Sequence, residues 1–131
     1  MKKILILCFV LFGFVAFAQD GEMVYSPKEL DTPPECPTTL SDFKKCVTSN
    51  FTIPEGVDRG VFNLELSFIV EKNGTLTEPA LVKDPGNGFN EAAVKALNGS
   101  CSKKRWVAGR LKGKKVRTRM VMLLTVKFRD E

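Results

Sequence analysis

The chain has 131 residues, a net charge of +5, 44% hydrophobic side chains and no histidine at all. The missing imidazole removes the commonest general acid–base group and the commonest zinc ligand. The length suits one small domain with a modest core.

Lys2 and Lys3 open the chain, an apolar run extends from Ile4 to Phe17, and Ala16-Phe17-Ala18 precedes an abrupt polar turn at Gln19-Asp20-Gly21-Glu22. This is the three-part layout of a secretory signal over residues 1–18. The run falls short of the roughly 20 apolar residues that a spanning helix needs. Release into the periplasm, or secretion, is therefore expected after cleavage; the alternative is an uncleaved inner-membrane anchor. Cys8 reads as apolar filler within the run.

Charge is unevenly placed along the rest of the chain. Residues 19–101 carry seven basic and thirteen acidic side chains, a net of −6, and residues 102–131 carry eleven and two, a net of +9. The two parts should attract each other in the fold. A basic end is a common mark of nucleic-acid binders. Export argues against that partner here, and no aromatic residues interleave the basic run to stack bases.

Residues 19–37 read as an extended or irregular lead-in, because Pro27, Pro33, Pro34 and Pro37 interrupt any regular element. The domain proper is expected over residues 38–131. Leu40, Phe43, Val47 and Phe51 keep one helical face apolar, which predicts a helix from about Leu40 to Ser49 capped by Thr39 or Ser41. Cys36 and Cys46 flank its start, and their nearness in sequence, in an oxidising compartment, predicts a disulfide between them. Cys101 is then the odd thiol, either buried or available to another chain, as in a Cys101–Cys101 bridge. With no histidine and no close cysteine pair, no metal site and no cofactor are expected.

Phe62, Leu64, Leu66, Phe68 and Val70 alternate with Asn63, Glu65 and Ser67, a period of two that predicts a strand with one buried face. Asn73-Gly74 predicts a tight hairpin built on two residues with φ > 0. The return strand runs from Thr75 to Val82, and Pro79 marks it as an edge strand or a bulged one. After a Gly/Pro loop, Asn90 is expected to cap a helix from Glu91 to Asn98 with Ala93, Val94 and Leu97 inward. A basic loop around Trp106, Gly109 and Gly113 leads to a last strand from Val116 to Phe128. Val116, Met120, Met122, Leu124, Val126 and Phe128 share one face, and apolar Val121 and Leu123 raise the prospect of cover on the other. Trp106 reads as a core anchor, and the two glycines as suppliers of backbone geometry.

These elements predict an α+β fold: a three-stranded antiparallel sheet with two helices on one face. The last strand pairs with the first and leaves its other side open. Glu65, Glu71 and Glu78 read as solvent-facing, and no nucleophile sits in a catalytic setting, so an enzyme is not expected.

Three segments resemble the C-terminal domain of the TonB energy-transducer family. They are Phe68-Ile69-Val70-Glu71-Lys72-Asn73-Gly74-Thr75-Leu76, Phe89-Asn90-Glu91-Ala92-Ala93, and Trp106-Val107-Ala108-Gly109 with Gly113-Lys114-Lys115-Val116. The likeness spans roughly Pro33 to Phe128; Ala108 stands where the family has proline. The Cys36/Cys46 pair with Asn50-Phe51-Thr52-Ile53-Pro54 also resembles a subset of that family. The resemblance implies the terminal domain alone, behind a signal peptide, associated with TonB-dependent transport across the outer membrane. It implies a protein partner, namely a short extended segment of an outer-membrane receptor or another envelope protein, added as a strand. The expected partner-binding residues are Val116, Arg117, Thr118, Arg119, Met120, Val121, Met122, Leu123, Leu124, Thr125, Val126, Lys127 and Phe128. Arg117, Arg119 and Lys127 are expected to attract acidic groups. The alternative is a structural envelope or secreted protein that forms a homodimer through the same edge.

Overall fold

A computed structural model describes residues 23–57 and 60–128. The expected signal at residues 1–18 lies outside the described residues. In chain order the elements are β1 (Val24–Tyr25), a 3-10 turn (Pro27–Glu29), α1 (Leu40–Ser49), β2 (Gly60–Val70), β3 (Leu76–Leu81), α2 (Phe89–Asn98), a second 3-10 turn (Ser100–Ser102), β4 (Gly109–Leu111) and β5 (Lys114–Phe128). Among the described residues no helix is long and apolar enough to cross a membrane.

Over the described residues the fold is α+β, with two helices and a mixed five-stranded sheet in the order β1-β5-β2-β3, β4 pairing separately with β5. The expected three strands are present as β2, β3 and β5. Two short strands join them: β1 runs parallel to β5, with Val24 opposite Arg117 and Tyr25 opposite Thr118, and β4 is antiparallel to its start. The sequence concealed both because two- and three-residue strands are too short to show a period. The described part of the lead-in, residues 23–37, is correspondingly more regular than expected. Its backbone pairs with the far side of β4, where Arg110 N–H donates to Thr32 C=O at 2.9 Å and Val107 N–H to Glu35 C=O at 2.9 Å.

β2 is the centre of the sheet. It pairs antiparallel with β5 from Gly60↔Phe128 to Val70↔Thr118 without a slip. Residues of one face of each strand therefore meet: Leu64 with Leu124, Leu66 with Met122 and Phe68 with Met120. Both helices pack on this face, and Phe43 and Val47 of α1 and Phe89, Ala93, Ala96 and Leu97 of α2 complete the core. Val94 is only half-buried, and Ala96 takes the inward position expected of Val94. Val121 and Leu123, on the opposite face, are 54% and 55% exposed, so β5 is not covered on both sides at these residues.

Between β2 and β3 the register shifts: Ser67 opposes Ala80 and Ile69 opposes Thr77. Glu78 and Pro79 thus face the single residue Phe68, a bulge in the edge strand, with Glu78 at φ +49°. The proline lies where a missing N–H costs the ladder least. The hairpin turn before it differs from expectation. Only Gly74 has positive φ (+86°); Gly74 N–H donates to Glu71 C=O and Glu71 N–H to Thr75 C=O, both at 2.8 Å. This is a three-residue loop closed by a glycine bulge. Asn73 acts through its side chain instead, its Oδ1 accepting from Thr75 N–H and Thr75 Oγ1. The two-residue turn with both φ positive occurs further on, at Lys112 (+52°) and Gly113 (+79°) between β4 and β5.

The Thr39 hydroxyl caps α1, accepting from Asp42 N–H at 3.0 Å. Asn90 does not cap α2. It is the second helical residue, and its Oδ1 accepts from Leu81 N–H at 2.9 Å, fastening the helix to the end of β3. Trp106 is buried (4% exposed), set edge-on to Phe43 and Phe68 with ring centroids at 5.2 and 5.4 Å. Its backbone N–H donates to Gly74 C=O.

The expected Cys36–Cys46 disulfide is not formed. Cys46 pairs with Cys101 (Cα–Cα 5.7 Å), and Cys36 is the free thiol, its Sγ 3.6 Å from Thr38 Oγ1. The helix is the reason. From Leu40 to Cys46 it rises about 9 Å, which carries Cys46 beyond bonding reach of a residue preceding the helix start. The same rise brings Cys46 against the turn that follows α2. Cys101 is thereby taken from intermolecular pairing. The bond closes a loop of 55 residues, a constraint of about 4 kcal/mol on the chain-entropy picture.

Non-reducing peptide mapping is expected to recover Cys46 linked to Cys101 and Cys36 alkylated, and Cys101→Ser to lower unfolding stability by about 2–4 kcal/mol. At Gly74 an added Cβ would lie 2.1 Å from the Trp106 carbonyl oxygen. Gly74→Ala is therefore expected to cost at least about 2 kcal/mol in denaturant titration, combining that clash with a strained φ.

Candidate functional site

Thr118 pairs with Val70 of β2 on one side and with Tyr25 of β1 on the other. β1 therefore lies on the side of β5 away from β2. It covers that side at Arg117 and Thr118 only. The chain then turns off through Pro27, which has no N–H to offer, into the 3-10 turn Pro27–Glu29. From Arg119 to Phe128, no strand among the described residues pairs with this side of β5. The partner edge expected over Val116–Phe128 is thus shorter: Arg117 and Thr118 are taken by β1, and Val116 pairs with Gly109 in the β4–β5 hairpin.

A ten-residue stretch of β5 with one unpaired side presents backbone N–H and C=O groups at alternate residues. Two walls flank it. On the core side, α1 lies along β5, leaving an open groove of about 540 Å³ lined by Leu40, Ser41, Lys44, Lys45 and Thr48 together with Leu123, Leu124 and Thr125. It continues past Ser49 and Ile53 beside Thr125, Val126 and Lys127. Leu40 belongs to this groove: it is 47% exposed, although the sequence period assigns it to the core stripe. Nearer β1, a second hollow of about 780 Å³ lies between residues 24–29 and the side chains of Arg119 and Val121.

Of the three basic residues expected to attract a partner, Arg117 is committed elsewhere. Its Nε donates to Glu71 Oε1 at 2.7 Å and its Nη2 to Glu71 Oε2 at 3.0 Å, and Nη2 lies 3.5 Å from Glu78 Oε2. Thr77 Oγ1 donates to the same Glu71 carboxylate. Glu71 is consequently not a solvent-facing acid; the Arg117 hydrogen bond, with help from Thr77, holds its carboxyl below the ordinary value of 4.5 against a smaller opposing effect of burial. Arg119 and Lys127 remain exposed, Arg119 donating to Ser67 Oγ at 3.1 Å. Lys44 and Lys45 are the contribution that sequence reasoning missed. They sit at i and i+1 of a helix, and only the packing of α1 beside β5 reveals that they face the edge.

Among the described residues no group of three Cys, Asp or Glu side chains is placed to hold a metal ion. Comparison of the chain with models of protein families, with curated proteins and with solved structures returns no match.

The lowered Glu71 pKa fixes the sign of a pH effect. A carboxylate more acidic in the folded than in the unfolded chain stabilises the fold above the unfolded value, and this contribution disappears as pH falls through the folded value. Glu71→Gln is expected to lower stability by about 1–2 kcal/mol at neutral pH. Between the native protein and this variant, the gap should shrink as pH drops below 4.5, measured by urea unfolding across that range.

Proposed function

We propose that the protein is an exported binding module that receives an extended segment of another envelope protein as an added strand on β5. The observation that carries this reading is the unpaired side of Arg119–Phe128. An incoming strand satisfies backbone groups that otherwise face water, while its alternate side chains meet the flanking walls and give selectivity. Lys44, Lys45, Arg119 and Lys127 favour acidic segments and would speed their encounter.

The resemblance to the TonB C-terminal domain supports the same reading and narrows the partner. The segments that carry it form the β2–β3 hairpin, open α2 and lead into β5. On this proposal the partner is the N-terminal region of an outer-membrane receptor, and the module takes part in TonB-dependent transport from the periplasm by competing with, regulating or accompanying an anchored transducer.

A homodimer is the second reading, favoured by the exposed Val121 and Leu123 beside the edge. Charge opposes it. Two copies of β5 paired antiparallel about Leu123 would set Arg119 opposite Lys127 twice, and like charges directly opposed across strands destabilise a ladder. The acidic partner relieves what the second copy would aggravate.

Titration of the isotope-labelled protein with receptor N-terminal peptides is expected to shift backbone amides of Arg119–Phe128 and to leave those of β3 in place. Shifts elsewhere, or none with any peptide, would refute the reading. A sedimenting dimer whose β5 amides are protected without peptide would establish self-association instead.

A further inference from the structure

Two walls of different chemistry stand at different levels of the same edge. At the level of Arg119 and Val121 the hollow is mainly apolar, bounded by Val24, Tyr25 and Pro27. Arg119 and Val121 share the sheet face opposite the helices, as the hydrogen bond from Arg119 to Ser67 shows. At the level of Leu123–Thr125 the groove lies on the helix side and carries Lys44 and Lys45, to which no ion pair is made among the described residues. Lys127 continues the positive charge along the edge.

A strand laid along β5 has side chains alternating between these walls. Its residue beside Val121 can point to the apolar hollow. Residues lying beside Leu123 to Thr125 that point the other way meet the lysines; beyond them the groove is lined by Thr48, Ser49 and Ile53. Opposite faces mean an odd number of positions apart, and the position beside Leu124 is three residues, about 10 Å, from that beside Val121.

Resting on the strand-addition reading, we propose that the ligand is a segment of about eight residues with one large apolar side chain and an acidic residue three positions from it. The apolar residue seats against Val24, Tyr25 and Val121, and the acid faces Lys44 and Lys45. Charge complementarity commits the groove to this occupant. Among the described residues the sole carboxylate lining the hollow, that of Glu29, already accepts from Ser26 N–H at 2.8 Å and leaves the lysine groove unneutralised.

The test uses the purified full chain and fluorescent octapeptides of serine and threonine carrying one leucine and, three positions away, one glutamate, made in both chain directions. Binding is followed by anisotropy. One direction is expected to bind at least tenfold tighter than versions with glutamine for glutamate, or with the spacing changed to four. Lys44→Glu/Lys45→Glu should abolish that advantage while the circular dichroism spectrum is unchanged. Raising salt should weaken the acidic peptide more than the neutral one. Equal binding of all spacings and of the neutral peptides, unaffected by the lysine substitutions but lost on N-methylation of alternate peptide amides, would overturn this proposal and leave strand addition standing. Binding that survives N-methylation at every position would overturn both.

Discussion

The unbroken antiparallel register between β2 and β5 is the constraint on which the structure rests. Because side chains in a strand alternate, the pairing of Phe68 with Met120 decides at once which residues enter the core and which face water. A slip of β5 by one residue would put Val121 and Leu123 on the side of α1 and leave Met122 and Leu124 exposed. The cost would be several fully buried apolar side chains, each contributing about 1.5–3 kcal/mol. The register also decides which strand stands at the border. With β2 paired on both sides, by β3 and β5, the open sides lie on β3, which the bulge at Glu78 and Pro79 interrupts, and on β5, which runs unbroken.

The position of α1 is the second determinant, and it is set by two attachments at different heights. Phe43 packs against Phe68 and Trp106 in the core, and Cys46 is bonded to Cys101 behind the end of α2. Asn50 closes the helix, its Nδ2 donating to Cys46 C=O at 2.8 Å. The helix is thereby held along β5, with Ser41, Lys44, Lys45 and Thr48 toward the border. A disulfide in this place matters beyond global stability, because it keeps the lysine wall at a fixed distance from the edge.

How much of the fold was legible depends on the length of the signals. The α1 helix and the alternation in β2 and β5 are local patterns several residues long, and Pro79 marks its bulge alone; these appear where the sequence puts them, save that Leu40 leaves the core stripe for the groove. The Cys46–Cys101 bond, the turn-off of the chain at Pro27 and the commitment of Arg117 to Glu71 join residues that are remote in sequence. Proximity along the chain pointed to Cys36 because it carries no information about helical rise. In the same way a run of basic residues does not distinguish Arg117, which neutralises an acid across the sheet, from Arg119 and Lys127, which remain exposed. The open edge itself was foreseeable from topology, but its length was not, since a two-residue β1 leaves no trace in hydropathy.

An open strand with valine and leucine beside it is a hazard, since such edges pair with one another. The charges here address that hazard without closing the edge. Arg119 and Lys127 bracket the apolar pair at equal distances from Leu123, so self-pairing about Leu123 brings like charges together at both ends. Lys44 and Lys45 extend the same sign to the neighbouring wall. On the proposed strand addition, charge of one sign along the edge would disfavour that self-pairing and favour an oppositely charged strand, so that resistance to self-association and choice of partner would have one electrostatic origin.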